Sequence, residues 1–545
     1  AHGAANAALM TAAGLAETAW TPAALVACVR SRLAGRHPPR SLTAPAHPSL
    51  PHLGLPAVVG RWAAADPRAP VRRPASWPLR PQDAFFLYAE SATVAQQIGV
   101  VMELGPRADG RSLTAGDLVA LLARRLPAVT TLRRRLVDRG PWRRAGWVVD
   151  KYVDPAAHLD EVQVEPGDDG GAEVDRFWSQ PLATDRPLWR ILLVGGLPEG
   201  RTRVAIKLHH CLGDGLSTIG VLQRLLDPSG GRSARWGTAD VGPAGPGRQG
   251  SGVGDRGREA ARRAALTAAG LARLAVRGAA PPSVLNRIPR SPRRRLYGLT
   301  LPAAEVLRAA RACQAHASEL VLALIAGALG QAHPAPVPPR MRAMFAVTRD
   351  PRRRAPTQGN WTGAVALDLP LGRISPQARV STVRDVLRAA LRSGQAEASG
   401  LVMRAAGLLP APLHAAFARR VYTDRHLNVI VSYVPAPFQP QLAGAPIRKV
   451  TPVVALTDGV PVGVGVLRRG AAFEVGVLLD DSLAGFGDRL ATALPAALAD
   501  LLAEVDGEQV DLDEPVDPDP VRAMVGKDAG PGRAGGVPPE TPRCG

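Results

Sequence analysis

From residue 229 to residue 255 the chain turns to Gly, Ser and Arg, and on either side of that interval short apolar strands alternate with amphipathic helices. An interval of that composition reads as a flexible linker. It divides 545 residues into two folded regions, in keeping with domains of roughly 100–200 residues each. In the first region Gly99 to Glu103, Ile191 to Val194 and Thr202 to His209 read as strands. Leu118, Leu121, Leu122 and Leu126 recur at helical spacing in Thr114 to Leu126, and a helix from about Leu216 to Leu226 sets Ile219, Leu222, Leu225 and Leu226 on one side. The second region runs from about 293 to 505. Ala303 to Ala315, Glu319 to Ala332 and Gly485 to Val505 read there as helices, and Met344 to Thr348, Ala364 to Leu369, Leu427 to Ser432, Gly463 to Val466 and Phe473 to Leu479 as strands. The mixed order predicts an α/β (α+β) fold with two domains of similar size. Residues 1–78 are expected to be a poorly ordered extension with a short helix around Thr21–Leu33. Residues 79–228 form the first domain, 229–292 a linker with an Ala-rich helical stretch, 293–505 the second domain and 506–545 a disordered tail.

Composition narrows the partners. The formal net charge is +20, which favours polyanions: nucleic acid, anionic lipid or a phosphorylated cofactor. No zinc-finger spacing, aromatic stacking motif or basic zipper accompanies that charge, so nucleic acid is not expected. Arg290, Arg293, Arg294 and Arg295 flank Pro292 and read as linker charge. The four cysteines, Cys28, Cys211, Cys313 and Cys544, are widely separated with no CxxC pair. That argues against a disulfide framework and a zinc site, and for a reducing, cytoplasmic setting. The first residues lack the pattern of a secretory signal. No stretch reaches the ~18–20 apolar residues that span a bilayer, and Leu320 to Leu329 reads as a buried core helix.

The chemistry concentrates in Leu208-His209-His210-Cys211-Leu212-Gly213-Asp214-Gly215. Side chains alternate faces along a strand, so His209 and His210 do not grip one metal: one faces the core and the other a cleft. A histidine held in a loop after a strand is a good general base. The alternative is a polar strand end, with Asp214 capping the next helix. Gly215 permits tight backbone geometry or the close approach of another group. Cys211 points away from its neighbour and is not expected to be a nucleophile.

HHxxxDG between strand and helix resembles the signature of acyltransferases related to chloramphenicol acetyltransferase and to peptide-synthetase condensation domains. Further segments resemble the bacterial wax ester synthase/diacylglycerol acyltransferase family: Gln82-Asp83-Ala84-Phe85-Phe86-Leu87, Pro181-Leu182 through Arg186-Pro187-Leu188-Trp189, Gly359-Asn360 with Leu367-Asp368-Leu369-Pro370, and Val431 to Pro437 with Leu442 to Ala445. The chain departs from the family pattern at Ser318-Glu319, Tyr433 and Ala436, positions expected to bear on the acyl tunnel or the domain contact.

The resemblance implies two chloramphenicol-acetyltransferase-like domains, a pseudo-dimer around a central channel with the motif midway. By the same analogy acyl-CoA enters as co-substrate from one side and diacylglycerol or a long-chain alcohol from the other. No resident cofactor or metal is expected. His210 would act as base, with His209 and Asp214 beside it in the catalytic motif and Gly215 shaping the turn. Arg349 is a candidate partner for Asp214. Asn360 reads either as a channel-lining amide or as a satisfied turn residue, and Ser432 either as a channel residue or as one bonded to neighbouring backbone. Trp189 reads as core. The protein would work in the cytoplasm, peripherally at the inner face of the plasma membrane or at a lipid-droplet surface. Arg133 to Arg135 would be one attracting segment, unless they are only a solvated face. Two alternatives stay open: a condensation-type enzyme using a polyketide or a carrier-protein-bound substrate, and a non-catalytic acyl-CoA-binding protein.

Overall fold

The computed structural model describes residues 76–227, 253–286, 291–348, 359–435 and 440–507. The expected helix around Thr21–Leu33, most of the 1–78 extension, the Gly/Ser/Arg interval and the 506–545 tail beyond residue 507 lie outside the described residues. In chain order the first half contains β1 (Trp77–Pro78), α1 (Pro81–Ala89), β2 (Gln97–Leu104), α2 (Ala115–Arg125), β3 (Arg134–Val137), β4 (Gly146–Val149), β5 (Leu159–Gln163), α3 (Gly171–Ser179), β6 (Trp189–Gly195), β7 (Thr202–His209) and α4 (Gly215–Leu225). There follow α5 (Val253–Val276), β8 (Arg294–Pro302), α6 (Ala303–Ala312), α7 (Ala317–Ala332), β9 (Arg340–Thr348), β10 (Thr362–Pro370), α8 (Pro376–Arg392), α9 (Gln395–Ala406) and α10 (Ala411–Val421). The chain closes with β11 (Val429–Pro435), β12 (Gln441–Leu442), β13 (Ala445–Val453), β14 (Val462–Arg469), β15 (Ala472–Asp480) and α11 (Ala484–Gly507).

The strands build two six-stranded mixed sheets, ordered β12-β13-β2-β7-β6-β5 and β10-β9-β11-β14-β15-β8, and a small sheet β1-β4-β3. In the first sheet β7 shows why the sequence makes a strand. Val204, Ile206 and Leu208 face the main core of the first half, while Ala205 faces a second core with Phe177 and Trp178 of α3. Both faces are covered, so the strand reads as a nearly continuous apolar run. Trp189 is core, as its motif suggested: its indole N–H donates to the Leu132 carbonyl at 2.8 Å and its ring stacks on His158 at 4.1 Å. Thr114 and Asp117 close a capping box at the start of α2, an arrangement that typically stabilises a helix by about 1 kcal/mol. The second half packs around α7, which is buried on every side. Glu319 belongs to the start of that helix. Its carboxylate accepts from the His316 main chain at 2.8 Å and pairs with Arg388 at 2.7 Å.

Two features are absent from the sequence reading. One is a crossover: β12 and β13 come late in the chain yet join the first sheet, with β13 antiparallel to β2. The other is a glycine row. Gly465, Gly476 and Gly298 stand opposite one another on β14, β15 and β8. A Cβ on Gly476 would sit 1.9 Å from the Pro452 carbonyl oxygen, and one on Gly298 would sit 2.5 Å from the Thr451 hydroxyl. The missing side chains let β13 lie directly against the second sheet while it pairs with β2 in the first, so the halves share a strand.

The arginines assigned to the linker are partly strand. Arg294 opens β8 and forms a buried pair with Asp480 at 3.3 Å, and Arg295 pairs with Asp481 at 2.8 Å. Arg133 to Arg135 are half-buried; Arg135 pairs with Asp150 at 3.2 Å and the Arg134 guanidinium lies over the Trp77 ring. They are not a solvated basic face, because each stem is packed. Among the described residues no single helix is long and apolar enough to cross a membrane.

Candidate active site

The HHxxxDG segment begins where β7 ends. His209 is the last residue of the strand, His210–Leu212 form one 3-10 turn, and Asp214 caps α4. The break from strand to 3-10 turn separates the two imidazoles. His209 is buried, its Nδ1 accepting from the Cys211 main chain at 3.0 Å. Since Nδ1 accepts, the proton of a neutral ring sits on Nε2. From there it is donated to the Glu90 carboxylate at 3.0 Å. Both ring nitrogens of His209 are thus used to hold the turn.

His210 is placed differently. Its main-chain N–H donates to Gln96 at 2.7 Å, and its half-buried ring lies flat on Phe86, with centroids 3.7 Å apart and planes 11° apart. The Nδ1 atom is buried with no hydrogen-bond partner among the described residues. Burial lowers its pKa to about 4, against the opposing pull of its own main chain, Asp214 and Asn360. An imidazole in that environment is neutral at physiological pH and able to accept a proton.

The second half reaches this turn through residues 359–361. Gly213 and Gly359 form a parallel bridge, and the Ser217 hydroxyl donates to the Gly359 carbonyl at 2.8 Å. The Asn360 amide donates to the His210 carbonyl at 2.8 Å and to Asp83 at 3.0 Å, while the Asn360 main chain also donates to Asp83 at 2.8 Å. Both side-chain bonds run to acceptors, which fixes the orientation of the amide. Asp214 uses its two oxygens separately, one accepting from Ser217 at 3.0 Å and the other from Trp361 at 2.9 Å. It is therefore both a helix cap and a tie between halves. Arg349 lies outside the described residues. Gly215 meets the other edge of the seam: a Cβ there would lie 3.3 Å from Val434 and 3.9 Å from the Ser432 hydroxyl. Ser432 is half-buried beside it, and its hydroxyl makes no hydrogen bond among the described residues.

Helix α1, whose opening is one of the sequence motifs but has no role assigned to any of its residues from sequence, supplies three supports of the site. Asp83, Phe86 and Glu90 are spaced three and four residues apart, so they share one helix face. Asp83 holds Asn360, Phe86 carries the His210 ring and Glu90, the C-cap residue, holds His209. The Asp83 carboxyl is pushed above the usual carboxylate range by burial, against the Asn360 hydrogen bonds and the charges of Arg80 and Arg134. The clue lay in the periodicity of the segment Asp83 to Glu90, whose polar members sit on an otherwise apolar helix. Cys211 is buried in the core of the first half, and burial pushes its thiol well above its ordinary value, which leaves no thiolate for attack.

The motif thus sits at a seam between two halves and presents one half-buried neutral imidazole. Residues 79–321 match the family model for the wax ester synthase/diacylglycerol acyltransferase catalytic domain, and residues 358–502 match that for the C-terminal domain of the same family. The chain belongs to the wax ester synthase/diacylglycerol acyltransferase family. A Mycobacterium tuberculosis protein that carries the name of a diacylglycerol O-acyltransferase is 29% identical over 408 residues, spanning 66% of this chain and 77% of that protein. A second from the same organism, similarly named, is 25% identical over 453 residues, spanning 77% of this chain and 95% of its own. Among solved structures, the wax ester synthase/diacylglycerol acyltransferase of Marinobacter aquaeolei VT8 superposes with a TM-score of 0.56 at 20% identity, covering 79% of this chain and 99% of that one. The first condensation domain of the CDA synthetase gives 0.53 at 18% identity, covering 79% and 98%. These likenesses carry the two-domain α/β fold, and family membership makes the protein an acyltransferase.

The departures from the family pattern now have places. Ser318 and Glu319 open α7 inside the second core, and the Tyr433 ring packs toward that core beside Phe473, with centroids 6.4 Å apart. Neither touches the His210 ring. Ala436 lies outside the described residues.

Proposed function

We propose that this acyltransferase moves a fatty acyl group from acyl-CoA to the hydroxyl of diacylglycerol or a long-chain alcohol, giving triacylglycerol or wax ester. His210 is the general base. It takes the hydroxyl proton as the oxygen attacks the thioester carbonyl; the C–O bond forms, the C–S bond breaks, and the proton passes from His210 to the departing thiolate of CoA. No resident cofactor takes part in this sequence. His209 and Asp214 position the base through the turn and the helix cap, Gly215 lets α4 approach β11, and Asn360 holds the His210 carbonyl.

The observation that carries the reading is the unequal treatment of two adjacent histidines. Both nitrogens of His209 are engaged, whereas His210 is stacked, neutral and half-buried at the seam. A positioned general base contributes roughly 10²–10⁴-fold to a rate. The test mixes the protein with palmitoyl-CoA and either dipalmitoylglycerol or hexadecanol, following free thiol and lipid product together, with His210→Ala beside it. Ester formed by the wild type and lost in the folded variant is expected, and the better acceptor names the product. Thiol release without ester, or no reaction in folded wild type, overturns the neutral-lipid assignment in favour of another acyl donor or acceptor.

A further inference from the structure

We propose that the turn between α9 and α10, together with Trp142, docks on an anionic lipid surface. Leu408 is 87% exposed, Trp142 69% and Leu413 55%, and Leu409 and, on the preceding helix α9, Leu401 are exposed as well. Most large apolar side chains on a soluble surface stand singly; a contiguous exposed group marks an interaction site. Here the group is contiguous by main-chain contact. The Ala411 N–H donates to the Trp142 carbonyl at 3.1 Å, and the Arg144 guanidinium donates to the Gly407 carbonyl. Two separate segments, 139–144 and 401–413, therefore present their apolar residues on one prominence.

The charge around this prominence selects the partner. Residues 401–422 carry Arg404, Arg419 and Arg420 with no acidic residue, and residues 139–144 carry Arg139, Arg143 and Arg144 with none. None of these six arginines forms an ion pair among the described residues. Exposed Leu and Trp side chains flanked by Arg143, Arg404 and Arg420, which are exposed and have no carboxylate partner among the described residues, match a bilayer interface, where the apolar tips enter the headgroup boundary and the cations meet anionic lipid. The surface is also close to the site. Pro81, at the start of α1, lies against Gly407, and α10 packs on α1 through Ala418 and Tyr422 against Phe85. The next residue, Phe86, stacks on His210. One helix layer separates the docking surface from the base. Docking is measured without substrate, so its failure leaves the acyl-transfer reading untouched.

The test is flotation of the full chain with vesicles of phosphatidylcholine alone or mixed with phosphatidylglycerol. Wild type is expected to float with the mixed vesicles, more weakly with the neutral ones, and less as salt rises. Leu408→Asp with Leu413→Asp, and separately Arg404→Glu with Arg420→Glu, should each weaken partitioning about ten-fold or more. Tyr152→Asp, at an exposed aromatic outside the prominence, should bind as wild type does. All three substitute exposed side chains, so thermal melts should coincide. Wild type that stays with neither vesicle, or a double leucine variant that floats unchanged, overturns the proposal. So does a wild type that is dimeric in light scattering and becomes monomeric in the leucine variant, which would assign the face to a second copy.

Discussion

The two halves bring different things to the seam. Among the described residues the first half contributes the titratable groups that hold the reactive histidine's turn: His209, His210 and Asp214 from the motif, and Asp83 and Glu90 from α1. The second half contributes main chain and one amide. The Trp361 N–H reaches Asp214 and the Asn360 side chain reaches the His210 carbonyl, while the Asn360 N–H holds Asp83 and the Gly359 carbonyl takes the Ser217 hydroxyl of α4. The comparison teaches that one half holds the chemistry and the other clamps it. A base that must stay neutral in a buried site gains nothing from more charge, whereas its position depends on hydrogen bonds that a second body can supply.

The comparison can be broken first at the base. His210→Ala should reduce turnover by roughly 10²–10⁴-fold with an unchanged melting profile, as measured by coupled thiol release. Next comes the clamp. Asn360→Ala removes the bond to the His210 carbonyl and one of the two donors to Asp83, so roughly 1–3 kcal/mol of stability should be lost. Turnover should fall together with Tm, and denaturant unfolding read beside the ester assay checks both. A smaller effect is expected on α1. Phe86→Leu keeps an apolar contact but loses the stacked geometry, which should lower kcat by several-fold, on the order of 1 kcal/mol, with little change in the KM for acyl-CoA. Glu90→Gln should be milder still, because an amide oxygen accepts the His209 N–H as a carboxylate does; Glu90→Ala should exceed it. The smallest change should follow Tyr433→Asn. The ring packs toward the second core, so a modest loss of stability, about 1 kcal/mol, is expected without a change in substrate preference.

Much of this was legible in the residues. Val204, Ile206 and Leu208 alternate along β7 and announced a strand ending at the histidines, and Leu118, Leu121 and Leu122 announced α2. The five quoted motifs led to the family before any geometry did. The alternation rule also set His209 apart from His210, although it is the break from strand to 3-10 turn that separates their rings. What stayed hidden was long-range. Nothing local in Ala445 to Val453 says that it pairs with β2 in the other half, and Gly298, Gly465 and Gly476 look like ordinary strand glycines until three strands align them. Helices α8 to α10 were passed over because their apolar faces are diluted with Ala and Arg. Asp83 and Phe86 were visible as a motif, but the role of Asp83 depends on Asn360, 277 positions away in the chain, and that of Phe86 on the His210 ring. Asp214 shows the same limit: its helix cap could be read from the sequence, its bond to Trp361 could not.

A neutral His210 at the seam is tested most directly by single-turnover transfer of palmitoyl from palmitoyl-CoA to alcohol across acid to neutral pH, in wild type and His210→Gln. Burial holds the folded His210 near pKa 4, so the base form is retained as pH falls through the ordinary histidine value of about 6.5 and is lost only toward 4. A level rate from pH about 8 down to about 5.5 is expected, with near-silence in the variant. A rate that halves near pH 6.5, or a His210→Gln protein that transfers as wild type does, would contradict it.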